Sequence, residues 1–190
     1  MSNRFQVAPW PTALRVTSAL ATVALAFAGV IAYRAVPNHS GLTHLFGAGV
    51  ALVFPAIVVG AILFMVTGYE VAGGDLVVQR PLWATRIALA GLRKVWHDHA
   101  VCRGALRIFG NGGFYSFTGL YQNRLLGRFR LFGTDLKRAV VLALDRRVVV
   151  VTPADPAAFV AYLGQLYPGA RVDAAHGLGG TAPEVGRGTC

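Results

Sequence analysis

A chain of 190 residues, 55% hydrophobic and with a formal net charge of +10, has room for a membrane segment and one modest domain. Its two cysteines, Cys102 and Cys190, lie far apart with no CxxC, which excludes a disulfide framework and a zinc site of ordinary spacing. The charge is concentrated: eleven Lys/Arg lie between Arg93 and Arg147 against Asp98, Asp135 and Asp145, a balance that attracts anionic partners.

In chain order, the first features are two apolar runs, Val16–Tyr33 and Leu45–Thr67. The first holds no charged residue, Asn, Gln or Pro; the second has only Pro55 as a strong breaker. At a rise of about 1.5 Å per residue, each is long enough to cross a hydrocarbon core of about 30 Å. Ala26-Phe27-Ala28 after Arg4 and Arg15 also suits a signal-peptide cleavage site. The first run exceeds an ordinary h-region, however, and a second run follows, so a true span is the better reading. The short connection Arg34–His44 makes the two helices antiparallel neighbours. Arg4 and Arg15 before them, and Arg80 and Arg86 after them, put both termini on the cytoplasmic side, with Arg34 alone in the outer loop. Small residues recur every four positions at Ala24, Ala28 and Ala32, and at Ala48, Ala56 and Gly60 with Leu52 interrupting. They form either a packing seam or a dimer contact, or simply reflect abundant alanine. Pro55 is expected to kink the second helix. Trp10, Tyr33 and Tyr69 stand where interfacial aromatics belong. No acid lies inside either run, which points to an anchor and away from an ion or proton pathway.

From Tyr69 the pattern becomes short alternating segments. Strands are expected at Tyr69–Ala72, Leu76–Arg80, Trp83–Leu89, Leu92–Trp96, Ala105–Phe109, Phe114–Tyr121, Gly127–Phe132, Ala139–Leu144 and Arg147–Val151. Gly73-Gly74, Asn111-Gly112 and Asp145-Arg146 read as turns between them. One helix follows: Asp155 is a suitable N-cap, Pro156 suits its first position, and Phe159, Val160, Leu163 and Leu166 form one apolar stripe. These elements predict a small bent sheet or barrel with the helix plugging one open end. From Gly169 the chain is glycine-rich without apolar periodicity, and residues 169–190 read as a disordered tail.

Chemistry is sparse. Phe109-Gly-Asn-Gly-Gly-Phe114 lacks the Lys-Ser/Thr of a P-loop and precedes a strand, so it reads as a tight turn and not a phosphate cradle. His97-Asp98-His99 has no second pair to complete a metal site, and His176 falls in the tail. Of four serines only Ser116 lies in the β region, without a GxSxG, and Cys102 beside Arg103 reads as a small core thiol. No catalytic set, cofactor or metal is expected. The remaining candidates are basic. Arg128 and Arg130 share one strand face, with Phe129 and Leu131 on the other, and Arg124, Arg146 and Arg147 lie at loop ends. These five arginines are the expected membrane- or partner-binding residues, unless the basic face serves only solubility. No nucleic-acid motif accompanies them.

The order of residues resembles the bacterial membrane-anchored pleckstrin-homology-like (PH-like) domain proteins. The resemblance rests on Tyr69-Glu70-Val71, Asp75-Leu76-Val77-Val78, Arg86-Ile87-Ala88-Leu89, Phe109-Gly-Asn-Gly-Gly-Phe114, Gly119, Leu126-Gly-Arg-Phe129, Thr134-Asp135 and Val151-Thr-Pro-Ala-Asp-Pro-Ala-Ala-Phe-Val160. It covers Tyr69–Leu166 and implies a PH-like β barrel with one C-terminal helix, but no activity. The first hairpin carries Glu70, Gly73, Gly74 and Asp75 where phosphoinositide-binding relatives carry several Lys/Arg, so no inositol-phosphate site carries over. The expected organisation is a cytoplasmic N-terminus at 1–15, a two-helix transmembrane hairpin at 16–68, the PH-like domain at 69–168, and the tail. The expected function is a non-enzymatic scaffold of the bacterial cytoplasmic membrane, multi-pass, with both termini and the β domain cytoplasmic. It would contact a protein partner, a second copy or anionic lipid headgroups; the alternative is an accessory subunit of a membrane enzyme or transporter.

Overall fold

The computed structural model describes residues 3–35 and 42–173. Two long helices stand ahead of the β domain. Helix α1, Thr12–Arg34, starts after the extended Pro11. It alone, by length and composition, is long and apolar enough to cross a membrane among the described residues. Helix α2, Leu42–Leu63, contains Pro55, and its apolar described stretch is the shorter Ala48–Leu63. The helix stops four residues before the apolar run does. The Thr67 amide already bonds the Gln79 carbonyl and Val66 is buried, so the last residues of that run belong to the sheet. The helices pack where Gly29 meets Phe54 and Ala51. Of the small-residue rows, Ala28, Ala32, Ala48 and Gly60 are half-buried and Ala24 and Ala56 are exposed.

The nine expected strands are all present, divided between two sheets. One holds β1 (Asn3–Gln6), β2 (Gly68–Ala72), β3 (Asp75–Gln79) and β4 (Ala84–Ala88), in that order and antiparallel throughout. The other holds β5 (Leu92–His97), β6 (Leu106–Phe114), β7 (Ser116–Asn123), β8 (Gly127–Gly133), β9 (Val140–Leu144), β10 (Val148–Val151) and β11 (Arg171–Asp173). Its order is β11-β5-β9-β10-β8-β7-β6, with β8/β10 and β5/β11 parallel. Closure of a single barrel is not among the pairings of the described residues. Helix α3, Pro156–Leu166, follows as expected, its Asp155 carboxylate accepting from the Ala158 amide.

Several expectations need correction. Strand β1 precedes α1 and was not foreseen; it pairs with β2, and Phe5 packs edge-on against Phe159 at 4.9 Å. Residues 171–173, expected to be disordered, form β11 beside β5, fixed by the Lys94–Asp173 ion pair; residues 174–190 lie outside the described part. Asn111-Gly112 is no turn: β6 runs through it, and the hairpin turns at Tyr115, whose φ is 64°. The glycines let the strand bend there. Gly110 and Gly119, both at positive φ, face each other across β6 and β7, and a Cβ on either would collide with the other's backbone. Leu166 is largely exposed while Phe159, Val160 and Leu163 are buried. Helix α3 lies against β5 and β11 rather than only at an open end.

The main core fills the space between the sheets and under α3, with Tyr69, Leu76, Ile87, Leu142, Val149 and Phe159 at its centre. Val141, Val150, Phe129 and Leu131 project from the opposite face into a second cluster roofed by Val101 and Cys102. Burial on both faces explains the unbroken apolar sequences of β9 and β10. Tyr69 is not at an interface with lipid but fully buried. Its hydroxyl donates to the Phe132 carbonyl at 2.7 Å and accepts from the Thr152 amide at 3.1 Å, joining the two sheets.

Candidate functional site

The seven-stranded sheet has two chemically different ends. At one, the β7–β8 turn and the β9–β10 turn lie side by side, because Val148 pairs in parallel with Phe129 and Asn123 pairs with Gly127. This register gathers Arg124, Arg128, Arg146 and Arg147, all exposed. Among the described residues none of the four has a carboxylate partner; Asp145, in their midst, pairs with Arg93. The other end meets the helices. The Tyr115 amide donates to Ser18 Oγ at 2.9 Å, its hydroxyl shares a hydrogen bond with Thr22, and its ring meets Trp10 edge-on at 5.7 Å. The Ala8 amide and carbonyl bond Thr152 and Thr134 at the same end. Four of the five expected arginines therefore cluster at the end remote from the helices.

The fifth, Arg130, stands apart. On β8 its lateral neighbours are Leu120 and Val149, so it points to the inter-sheet side beyond the cover of the four-stranded sheet. There it lines a cleft of about 880 Å³ between the C-terminal half of α2, the β3–β4 connection and the face of β6–β8. The walls are mostly apolar: Phe64, Phe109, Phe114 and Phe132, with Arg80 and Arg130 as the cations. Arg80 is held closely. Its guanidinium lies 5.6, 5.9 and 5.7 Å from the ring centres of Phe64, Trp83 and Phe132, and Nη1 donates to the Phe64 carbonyl at 2.7 Å. Its Nε is buried without a partner among the described residues, and burial pushes its pKa down. Sequence reasoning treated Arg80 only as a flanking charge. The available signal was an arginine directly before Pro81-Leu82-Trp83 and just beyond an apolar run.

The remaining sequence candidates lie elsewhere in the domain. Cys102 borders a smaller cavity of about 260 Å³ with Arg107 and Tyr121. Burial, reinforced by the Asp98 charge, pushes its thiol up to about 12, so almost no thiolate exists at neutral pH. Ser116 is fully buried, and its hydroxyl lacks a partner among the described residues. Asp98 accepts from the Ala100 amide at 2.8 Å, opening the turn after β5. Asn111 brackets the Phe114 backbone, its Oδ1 accepting from the amide at 3.0 Å and its Nδ2 donating to the carbonyl.

Two sheets with a capped C-terminal helix, preceded by an apolar helix long enough to cross a membrane, define a mainly-β domain with a helical N-terminal segment. Residues 67–166 match the family model described as "Bacterial PH domain", and the chain belongs to that family. PH-like domains are generally non-catalytic binding modules, commonly for lipids or proteins. No curated protein and no solved structure matches the chain.

Proposed function

We propose that this chain is a non-enzymatic scaffold that crosses the bacterial cytoplasmic membrane twice, keeps both termini and its PH-like domain cytoplasmic, and offers its basic end to an anionic protein partner. The observation that carries this reading is the pairing of β1 with β2. One strand precedes α1 and the other follows α2, so both flanks of the helical pair lie on one side. A single crossing would separate them. The same pairing argues against a cleaved leader, since cleavage after Ala28 would remove a strand of the sheet. Arg4, Arg15, Arg80 and Arg86 on that side fit the positive-inside bias.

Distance favours a protein over the leaflet at the basic end. Strand β8 spans seven residues, about 20 Å at the usual rise. The Debye length is about 8 Å at physiological salt, so the leaflet's field is largely screened there. Topology is tested with Ser40→Cys and Arg146→Cys in sealed spheroplasts: an impermeant thiol reagent should reach the first and not the second. Labelling of both from outside would refute the two-span arrangement. Cross-linking in native membranes then tests the basic end: salt-sensitive capture of a stoichiometric partner should disappear when Arg124, Arg128, Arg146 and Arg147 become Glu. Capture that persists unchanged would refute a role for these arginines. A partner held through α1 and α2 would instead identify an accessory subunit.

A further inference from the structure

The cleft beside α2 is chemically distinct from the basic end. Its cations are few and set in an apolar wall. Arg80 and Arg130 have no carboxylate partner among the described residues. A buried donor without an acceptor is costly, and Arg80 Nε is in that position. Its guanidinium is held by three rings and one carbonyl, which fixes a planar fork of the kind that matches phosphate oxygens.

The rest of the cleft is unsuited to a free anion. Ile57, Gly60 and Ala61 of α2 form one side, and a Cβ at Gly60 would meet nothing within 4 Å, so there is open space beside the helix there. A volume of about 880 Å³ is at the upper end of ordinary ligand sites. It suits a headgroup with the upper part of an acyl chain, the remainder lying against α2. Phe109, which lines the cleft, is 79% exposed, an arrangement that marks an interaction surface.

We propose that this cleft holds one anionic phospholipid of the adjoining leaflet, its phosphate between Arg80 and Arg130 and an acyl chain along Ile57, Gly60 and Ala61. This rests on the membrane-anchored reading above and adds a ligand to it. The lipid enters sideways from the bilayer, not through the first hairpin of the domain. It gives the Arg80 and Arg130 guanidinium groups an anionic partner and covers the aromatic wall.

The full chain, reconstituted in phosphatidylcholine vesicles, tests this through Trp83, which lies against Arg80. Phospholipids with brominated acyl chains quench a nearby indole, and the share lost in Trp83→Phe isolates this reporter. Brominated phosphatidylglycerol should quench Trp83 at about tenfold lower mole fraction than brominated phosphatidylcholine, as one net charge-assisted hydrogen bond implies. Arg130→Gln, on an exposed strand position, should abolish the preference with the melting temperature unchanged. Arg80→Gln should also abolish the preference, with a lowered melting temperature because its ring and carbonyl contacts are lost, and Arg146→Gln should leave it intact. Equal quenching by the two lipids, or a preference that survives both Arg80→Gln and Arg130→Gln, would overturn the proposal. Competition by soluble glycerol phosphate would also overturn it, in favour of a free-phosphate site. Extraction of the chain from the vesicles by carbonate would refute the anchored reading itself, a failure separate from equal quenching in a carbonate-resistant chain.

Discussion

Replacing Tyr69 by Phe removes one oxygen from the junction of the two sheets. The ring keeps its place among Leu76, Phe159 and Val151, so packing is preserved and the loss is confined to hydrogen bonds. Two buried backbone groups are stranded, the Phe132 carbonyl and the Thr152 amide. Each unsatisfied group costs about 1–3 kcal/mol, so a combined loss of roughly 2–6 kcal/mol is expected. For a domain of this size that lowers the melting temperature by roughly 10–25 °C, measured by near-ultraviolet circular dichroism on the full chain in detergent. The same hydroxyl predicts a pH signature. Burial raises its pKa from 10.0 to about 12, so the fold favours the neutral phenol. Its contribution is complete below pH 10 and is lost between pH 10 and 12, at about 1.4 kcal/mol per unit. Above pH 10 the parent should therefore lose stability more steeply than Tyr69→Phe. A melting shift below about 3 °C, or parallel alkaline profiles, would refute the bridging role of the hydroxyl.

Gly119→Ala forces a Cβ into the backbone of β6 at a φ of 143°; a loss of about 3 kcal/mol or more is expected, read as failed accumulation or a sharply lowered melting temperature. Asp155→Ala removes the cap on the Ala158 amide and should cost about 1 kcal/mol, whereas Asp155→Asn should nearly restore the melting temperature. In a Cys190→Ser background, Cys102 should resist iodoacetamide at pH 8 in the folded chain and react fully in denaturant. Rapid alkylation of the native protein would contradict the raised pKa of its buried thiol.

The sequence pattern was most informative where burial is one-sided or complete. Phe129 and Leu131 against Arg128 and Arg130 declare β8 by alternation, and the valine run of β10 declares a strand covered on both faces. Asp155-Pro156 locates α3 because the cap is a local interaction. What escaped depends on partners distant in sequence. Strand β1 is Asn-Arg-Phe-Gln, with only Phe5 partly buried, and is a strand because β2 lies beside it. Asn111-Gly112 has the composition of a turn, yet the Gly110–Gly119 contact draws the strand through it. The basic residues were legible as a group but not as two sites: only the parallel pairing of β8 with β10 gathers four arginines at one end and leaves Arg130 for the cleft. Arg80 was invisible as a ligand candidate because its aromatic neighbours, Phe64 and Phe132, come from opposite sides of it in the chain.

The pairing of β1 with β2 also sets an order of events during synthesis. Residues 3–6 leave the ribosome ahead of both helices, and their partner follows only after both helices have been made. The four-stranded sheet therefore cannot be completed while α1 and α2 are still being delivered. Loop closure over such a separation costs entropy that grows only slowly with length, and two helices packed side by side bring the ends together before the strands meet. Assembly of the helical pair thus becomes a checkpoint for the domain. A chain whose helices are misplaced is left with β2 as a bare edge and Phe159 without Phe5 above it, the kind of exposed strand that quality-control proteases and neighbouring chains engage.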